Sequence, residues 1–153
     1  MRYFSFQEFE RSAIANKYGI DNTMPDKIKP NVAALVDNVL DPLREVWGGP
    51  IDISSGYRCP ILNANPEIKG SKTSQHMTGE AADLQIFVRD AKGKLVKDQN
   101  GHAIVDRAAN RRLFQKIIDL DLPFDQLIDE HNFAWVHVSH RANGRQRKEV
   151  KKL

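Results

Sequence analysis

The sequence predicts an α+β domain in which a small antiparallel sheet is flanked by amino-terminal helices and one later helix. Three observations lead to this class. Apolar residues recur at helical spacing in the first third of the chain, four short runs have strand-like apolar or alternating character, and one more helical pattern separates the second strand from the third. With 153 residues, the chain fits one domain that buries about two-thirds of its unfolded surface.

Two helices are predicted before the first strand. Ser5 and Glu8 form a capping-box pattern at the start of the first helix, and Gly19 follows its last apolar residue. The second helix runs from about residue 31 to residue 47, where apolar residues recur at steps of three and four. Pro42 lies inside this pattern, so we expect it to kink or divide the helix.

The middle of the chain predicts two strands and an insertion. Residues 51–55 form the first strand, and a short helix at 60–64 leads to a polar loop at 66–73. We expect this loop to approach His76 and to form one wall of a cleft. The second strand covers residues 81–88. Residues 89–105 contain an Asn-Gly pair between two alternating runs, which is typical of a hairpin. We interpret this segment as an inserted, exposed arm.

One helix and two strands follow the insertion. The helix covers residues 107–120, with Leu113, Ile117 and Ile118 directed inward. The strands cover residues 126–130 and 135–140, and we expect them to pair antiparallel across Asn132-Phe133.

Composition excludes several classes of protein. Charged residues at 28% and hydrophobic residues at 41% are ordinary for a globular domain, and no apolar run approaches the roughly 20 residues of a membrane span. The first residues lack the apolar core and cleavage site of a secretory signal, so we expect synthesis in the cytoplasm. The single cysteine, Cys59, excludes an intramolecular disulfide. No dimerisation helix is visible, and we expect a monomer.

The net charge of +3 is concentrated at the end of the sequence. Residues 141–153 carry six basic side chains against Glu149 alone, and we interpret them as a solvated or disordered basic tail that follows a domain of residues 1–140. Such a tail either improves solubility or attracts the protein to an anionic surface. Without interleaved aromatic residues, specific nucleic-acid binding is not expected.

Two histidines and one aspartate are the candidate metal ligands. His76 and Asp83 lie in the segment SQHMTGEAAD, and His137 lies in Trp135-Val136-His137. Two imidazoles and one carboxylate leave the fourth position of a tetrahedral zinc ion open for water, as in catalytic zinc sites. We therefore predict a Zn²⁺ site here, with a hydrogen-bonded polar cluster as the alternative.

The spacing of these residues indicates which elements carry them. Ligands on one helix usually lie four residues apart, whereas His76 and Asp83 lie seven apart with Gly79 between them. We therefore place His76 on a loop and Asp83 on the strand that follows. Alternation along the last strand puts His137 on the face opposite Val136 and Val138, which mark the core side.

These motifs resemble those of the zinc D-alanyl-D-alanine carboxypeptidases, which include phage cell-wall endopeptidases and vancomycin-resistance dipeptidases. The family pattern is Ser-x-His-x-x-Gly-x-Ala-x-Asp followed by Trp-x-His. The matching residues are Ser74, His76, Gly79, Ala81, Asp83, Trp135 and His137. The resemblance covers about residues 3–139. It implies a hedgehog-like fold, a zinc cofactor, and a peptidoglycan peptide as the substrate.

The resemblance also implies substrate-binding residues. Arg58 ends a segment, Ser54-Ser55-Gly56-Tyr57-Arg58, that looks like the one carrying a substrate-binding arginine in the family. A planar guanidinium suits a substrate carboxylate, although Arg58 could instead pair with a surface carboxylate. Ser74 is placed in the same set, as a hydrogen-bond partner that positions the loop rather than as a nucleophile.

The general base departs from the family pattern. Dipeptidase-type members carry a catalytic carboxylate three residues before the last histidine, and this chain has Ala134 there. Glu130 is our predicted base, because the pairing of the last two strands would bring it beside the metal. Asp129 and His131 are the alternatives, and alternation directs Asp129 to the opposite face from Glu130.

The sequence thus predicts a zinc-dependent peptidase that cuts stem peptides or cross-links of bacterial peptidoglycan. Without a signal or a wall-binding module, it resembles a phage or prophage lysis enzyme that reaches the wall, on the periplasmic side, through a membrane lesion. A virion-associated protein with the same domain would have the same sequence features. The competing interpretation is a zinc-stabilised binding module without catalysis, as in hedgehog domains, and Ala134 is in keeping with it.

Overall fold

The computed structural model describes residues 1–153 and confirms the α+β class. Its core is a five-stranded sheet in the order β1-β2-β4-β3-β5. The strands are β1 (Asp52–Ser55), β2 (Ala81–Gln85), β3 (Gln126–Glu130), β4 (Trp135–Ser139) and β5 (Glu149–Lys152). The first four pair antiparallel as predicted, whereas β5 pairs parallel with β3, so the sheet is mixed.

The amino-terminal helix is interrupted. The predicted capping box is present, since the Ser5 backbone N–H donates to the Glu8 carboxylate at 2.7 Å, but α1 covers only Phe6–Glu10. Arg11 is extended, and the Ser12 hydroxyl caps a second helix, α2 (Ala13–Tyr18), by accepting from the Ala15 N–H at 3.1 Å. A serine that offers a side-chain acceptor favours a new helix start over continuation. Gly19 ends α2 in the left-handed conformation, as expected.

The next helical region is continuous but changes its winding. It consists of α3 (Lys29–Leu35), a π-helical turn (Val36–Leu40) and α4 (Asp41–Trp47). Pro42 lies in the first turn of α4, where it has no N–H to donate to the carbonyl of residue 38. The wider turn directly before it accommodates this missing bond. The predicted division at Pro42 is therefore a local change in winding and not a break.

The two faces of the sheet have different surroundings. On one face, Ala82, Val138 and Leu127 are aligned across three strands and belong to the hydrophobic core beneath the helices. On the other face, Asp83 lies opposite His137, which lies opposite Ile128. Because strand residues alternate between faces, the sheet buries its apolar side chains while it presents polar ones on the reverse side.

The later helix and the last hairpin close over the core. Helix α6 (Arg107–Asp119) directs Leu113 and Ile117 into the core, but Ile118 is 36% exposed, so its predicted inward position is wrong. Leu113 and Ile117 lie four residues apart on the buried side of the helix, and Ile118 lies at the margin of this buried stripe. The β3/β4 pairing is confirmed, with a tight turn in which residues 131–133 all have positive φ.

The inserted arm contains two tight turns, whereas the sequence predicted one hairpin. Residues 89–105 contain two Asp-x-x-Gly turns, one at Asp90 and one at Asp98, and each aspartate accepts two backbone N–H bonds from its own turn. Gly93 and Gly101 both have φ +80°, which favours glycine. Isolated bridges join the arm internally, and the Phe87–Val105 bridge closes its base.

Of the two alternatives for the basic tail, disorder is wrong, whereas most of its residues are exposed to solvent. Residues 141–153 fold back along the sheet and supply β5. The carboxylate of Asp125 is fully buried and lies 2.7 Å from Nη2 of Arg147 and 3.1 Å from Nε of Arg141. Lys148 pairs with Asp121 at 2.8 Å. Asp121 and Asp125, which precede β3, thus pair with three of the six basic side chains of this segment.

The helices are short throughout. None combines the length with the apolar character that a membrane-crossing helix requires.

Candidate metal centre

The three predicted ligands converge in the structure. Nε2 of His76 lies 3.4 Å, and Nδ1 of His137 lies 3.0 Å, from the same oxygen, Oδ1 of Asp83. One ligand atom from each residue lies within 4.8 Å of the others. All three residues are buried, with exposures of 3%, 5% and 9% for His76, Asp83 and His137. Elements separated by more than 50 residues therefore meet at one point, with His137 and Asp83 54 positions apart.

His76 lies on a short 3₁₀ turn (Gln75–Thr78) rather than on an irregular loop. The Ser74 hydroxyl caps this turn by accepting the His76 backbone N–H at 3.2 Å, which is the positioning contact expected of Ser74. Gly79 ends the turn with φ +73°, and a Cβ there would lie only 2.6 Å from Cγ2 of Ile28. Both conformation and space thus require glycine at this position.

A backbone carbonyl sets the orientation of His76. Its Nδ1 lies 2.7 Å from the carbonyl oxygen of Gly56, and an N–H at Nδ1 donates to that oxygen. The lone pair is then on Nε2, the atom that faces Asp83. Gly56 packs so closely on α1 that a Cβ would lie 2.7 Å from Cα of Phe9. The sequence analysis did not single out Gly56, and only its position inside the Ser54–Arg58 motif hints at this role.

The protonation states in the cluster are those of metal ligands. Burial would raise the pKa of Asp83, but the interactions with His76 and His137 outweigh it and hold the pKa well below its usual range. Burial lowers the pKa of His76, which favours the neutral imidazole. A carboxylate and a neutral imidazole are the forms that bind a metal ion.

The geometry fits a tetrahedral zinc ion. Ligand atoms about 2.1 Å from a tetrahedral metal lie about 3.4 Å from one another. The two histidine-to-aspartate distances, 3.4 Å and 3.0 Å, are close to that value. Nitrogen and oxygen donors of this kind are those that zinc takes, and three protein donors leave one position for another ligand. His76, Asp83 and His137 are therefore the residues that would hold Zn²⁺.

Arg58 pairs with a metal ligand and not with a surface carboxylate. Its Nη2 lies 3.2 Å from Oδ2 of Asp83, the oxygen that faces away from the histidines, and its Nε donates to the Ser55 hydroxyl at 3.0 Å. The side chain of Arg58 is only 15% exposed. This contact orients Asp83, and the role of Arg58 in substrate binding stays a prediction.

Glu130 lies near the ligands without joining them. It ends β3 opposite Trp135, and therefore shares the sheet face of His137, but its carboxylate is not among the clustered ligand atoms. Burial, followed by the charge of Asp83, raises the pKa of Glu130. The position suits a group that exchanges protons at the site. Its role as the general base stays a prediction.

The two alternative bases are engaged elsewhere. Asp129 is buried on the opposite face, where its Oδ1 accepts the backbone N–H of Phe133 at 2.6 Å and holds the β3/β4 turn. His131 has φ +49° in that turn, and its ring lies against Trp135 with the centroids 4.9 Å apart. Both side chains serve the hairpin, and Glu130 is the carboxylate directed to the metal side.

Comparison with known protein families identifies the chain. The family described as Peptidase M15 matches residues 2–139, which is most of the sequence. The chain belongs to the peptidase M15 family. Membership indicates a zinc-dependent metallopeptidase that acts on a peptide, and the family is the one that the Ser-x-His and Trp-x-His motifs predicted. No curated protein matches the chain significantly.

Two grooves adjoin the metal centre of this M15 peptidase. One, of about 390 Å³, is lined by Asp83, Arg58 and Trp135, and the other, of about 320 Å³, by His137 and Arg147. We call them the Asp83 groove and the His137 groove. The loop at residues 66–73 contributes to both, through Ile68 in the first and Thr73 in the second. The expectation that this loop forms a wall of the cleft is confirmed.

The sequence analysis missed the residues that support the site from behind. The buried carboxylate of Asp125 also accepts a hydrogen bond from the Gln75 side chain at 3.1 Å, and Gln75 directly precedes His76. Arg147, on the same carboxylate, lines the His137 groove. No local pattern signals this cluster, because its members lie on three separate segments.

Proposed function

We propose that this M15 peptidase hydrolyses peptide bonds in bacterial peptidoglycan, in stem peptides or in their cross-links, with the activity of a D-Ala-D-Ala carboxypeptidase or a related endopeptidase. The observation that carries the proposal is the convergence of His76, Asp83 and His137 beside two grooves. Stem peptides are rich in carboxylates, and each groove contains an arginine, Arg58 in one and Arg147 in the other. A guanidinium is the side chain best suited to a carboxylate.

The metal centre supplies the reactive conditions. His76, Asp83 and His137 would hold a zinc ion, which when bound would polarise the scissile carbonyl and lower the pKa of a water molecule toward about 7. Within the protein, the Gly56 carbonyl fixes the His76 ring and Arg58 fixes the Asp83 carboxylate, so two of the ligands are oriented before the ion arrives. Such outer contacts typically change metal affinity or activity by about 10- to 100-fold.

Glu130 is the proposed general base and acid. Its carboxylate takes a proton from the attacking water and then passes it to the nitrogen of the leaving amine. Its raised pKa, caused first by burial, makes the carboxylate a stronger acceptor for the proton of the attacking water. Its place at the end of β3 keeps it on the metal side of the sheet.

Arg58 is the proposed substrate-binding residue of the Asp83 groove. Its Nε and Nη2 are held by Ser55 and Asp83, which fixes the plane of the guanidinium. The remaining N–H groups can bind a substrate carboxylate or stabilise the negative charge that develops on the scissile carbonyl. Ser74, at the edge of the His137 groove, is the second proposed contact.

The proposed function is tested by digestion of purified peptidoglycan. Zinc-loaded protein and protein stripped with a chelator are incubated with the wall, and the released fragments are identified by mass spectrometry. Metal-dependent peptide fragments, restored when zinc is returned, would support the proposal and name the bond. Intact wall, from a protein that binds one zinc ion, would favour the non-catalytic binding module. The phage or prophage lysis role and the periplasmic site of action stay predictions. Virion proteomics would distinguish a virion-associated protein from a free lysis enzyme.

A further inference from the structure

The segment that follows the family match forms part of the cleft. Peptidase M15 matches residues 2–139, whereas Arg147 belongs to residues 141–153. This arginine nevertheless lines the His137 groove together with the metal ligand His137. The groove is thus formed partly by the matched domain and partly by the chain beyond it.

Arg147 is held in place by a buried partner. Its Nη2 lies 2.7 Å from Oδ2 of Asp125, its Nε lies 3.1 Å from Oδ1, and its backbone N–H donates to Oδ1 at 2.8 Å. The Asp125 side chain has no exposure, yet that of Arg147 is 43% exposed. One edge of the guanidinium is therefore anchored by the buried Asp125, and Nη1 at its other end lies 3.6 Å from a carboxylate oxygen of Glu149. Such prior ordering reduces the entropy that a ligand must remove on binding.

The remaining lining of the His137 groove suits an anion. Besides Arg147 and His137, it consists of one apolar residue and five hydroxyl or amide side chains, with no carboxylate. These are Ile128 with Ser71, Thr73, Ser74, Gln75 and Gln126. The Asp83 groove differs, because Asp83 and Glu67 are part of its lining. No carboxylate in the lining of the His137 groove therefore repels a negatively charged group.

We propose that Arg147 binds a carboxylate of the peptide substrate in the His137 groove. The proposal rests on the proposed function, and it adds a specificity-determining residue outside the part of the chain that the family covers. The N–H groups of Arg147 that Asp125 does not engage receive the carboxylate, Asp125 positions the guanidinium, and the hydroxyl and amide groups around it complete the polar lining. Since Arg58 occupies the other groove, a peptide that spans the metal centre carries an acidic group on each side of the cut bond.

Three peptides and three zinc-loaded proteins test this assignment. The parent peptide is one that the wild-type protein cuts, with free carboxylates on both sides of the bond, and the other two carry a single amide in place of one carboxylate or the other. The proteins are wild type, Arg147→Gln and Arg141→Gln. Arg141 is the matched control, since it pairs with the same Asp125 oxygen at 3.1 Å but does not line the His137 groove.

The expected result is a change in discrimination at one position. Wild type should prefer the parent over each amidated peptide, and Arg147→Gln should lose kcat/KM on the parent by about 10- to 100-fold, the range for a charged hydrogen bond. On the peptide amidated at the Arg147 position, Arg147→Gln should stay within about twofold of wild type, the margin set by a few tenths of a kcal/mol. Arg141→Gln should keep both preferences. Zinc content and Tm are measured for each protein.

Other outcomes overturn the assignment. If Arg147→Gln keeps the wild-type preference at both positions, or Arg141→Gln loses a preference equally, Arg147 does not read a carboxylate. The wild-type protein alone gives a second test that needs no folded variant, because equal rates on parent and amidated peptides exclude carboxylate recognition. The failure of the proposed function is distinct, since wild type would then show no chelator-sensitive cleavage of any peptide.

Discussion

Two buried aspartates, Asp83 within β2 and Asp125 directly before β3, have different surroundings. Asp83 faces two imidazoles and one arginine, whereas Asp125 faces two arginines and the amide of Gln75. In both, burial raises the pKa of the carboxyl and the partners reverse the effect, to about 2 for Asp125 and further below the usual range for Asp83. Both are ionised at neutral pH.

The difference lies in what the partners can still do. An arginine is permanently charged and has no lone pair, so the cluster around Asp125 is complete as it stands. A neutral histidine has a lone pair on one ring nitrogen, so the cluster around Asp83 presents three donors toward one point and is completed by a cation. Asp125 therefore anchors Arg141 and Arg147, and we call these three residues the anchor cluster. Asp83 serves as a metal ligand. Each prediction below changes one side of this contrast.

The largest effect is expected from Asp83→Asn. The amide is a poor metal ligand, and its loss of charge leaves Arg58 without a partner. Bound zinc should fall from one ion per chain to none, and peptidase activity should fall to that of chelator-stripped protein. Metal analysis and a peptide-release assay measure both quantities. His137→Ala should give the same two losses, and normal activity in either variant would refute the assigned site.

The same substitution at the other aspartate is the control. Asp125→Asn should keep one zinc ion per chain, because Asp125 reaches His76 only through its neighbour Gln75. If zinc were lost equally in both variants, the two clusters would not be separable in the way that their partners suggest.

The next effect is expected at Glu130→Gln. This variant keeps the three ligands but cannot accept a proton, so kcat should fall by about 10²- to 10⁴-fold. Zinc content and Tm should remain close to wild type, because Glu130 is only partly buried and lies outside the cluster of ligand atoms. Normal turnover in this variant would mean that another residue is the base.

A smaller effect, on stability, is expected from Asp125→Asn. Its two arginines lose a charged acceptor but are partly exposed, so they can be solvated in part. We expect the free energy of unfolding to fall by about 2 kcal/mol, in the range for hydrogen bonds to charged groups. Denaturant unfolding measures this change, and hydrogen exchange of the β5 amides should report earlier opening of that strand. An unchanged midpoint would show that the anchor contributes nothing.

A last effect, no larger than the preceding one, is expected in acid. The pKa of Asp125 is about 2 in the folded protein and about 3.9 in an unfolded chain, so its stabilisation is complete above the unfolded value and is lost as pH falls. Between pH 5 and pH 2, wild type should lose about 2 kcal/mol more unfolding free energy than Asp125→Asn. Asp83 titrates in both proteins, and therefore cancels in the comparison. If the unfolding free energies of the two proteins fall equally with pH, Asp125 does not contribute to stability in acid.

The ligand cluster could be predicted from sequence because its signal is local. His76 and Asp83 lie within one short motif, and His137 lies in another whose alternation marks its face. The antiparallel pairing of β3 with β4 followed from the same kind of apolar and alternating runs. A short run of residues is enough to predict an element when the pattern of side chains within that run determines its structure.

The anchor cluster could not be predicted because its signal is distant. Residues 141–153 read as a solvated tail, since their charges find no opposite charge nearby apart from Glu149. Their partner, Asp125, lies 22 positions before Arg147, and the parallel pairing of β5 with β3 places the two segments side by side. The division of the first helix at Ser12 was missed for a different reason, since a serine inside an apolar pattern fits either a helix interior or a cap.

The inserted arm has a consequence for protein engineering. Its base is closed by the Phe87–Val105 bridge and by the hydrogen bond from Asp106 N–H to the Ile86 carbonyl at 2.8 Å, so the ends stay together whatever lies between them. Its two glycine turns have open space around Gly93 and Gly101. Exposed turns of this kind tolerate inserted domains. A reporter or a wall-targeting module could therefore be spliced into this arm while the catalytic cleft keeps its own framework.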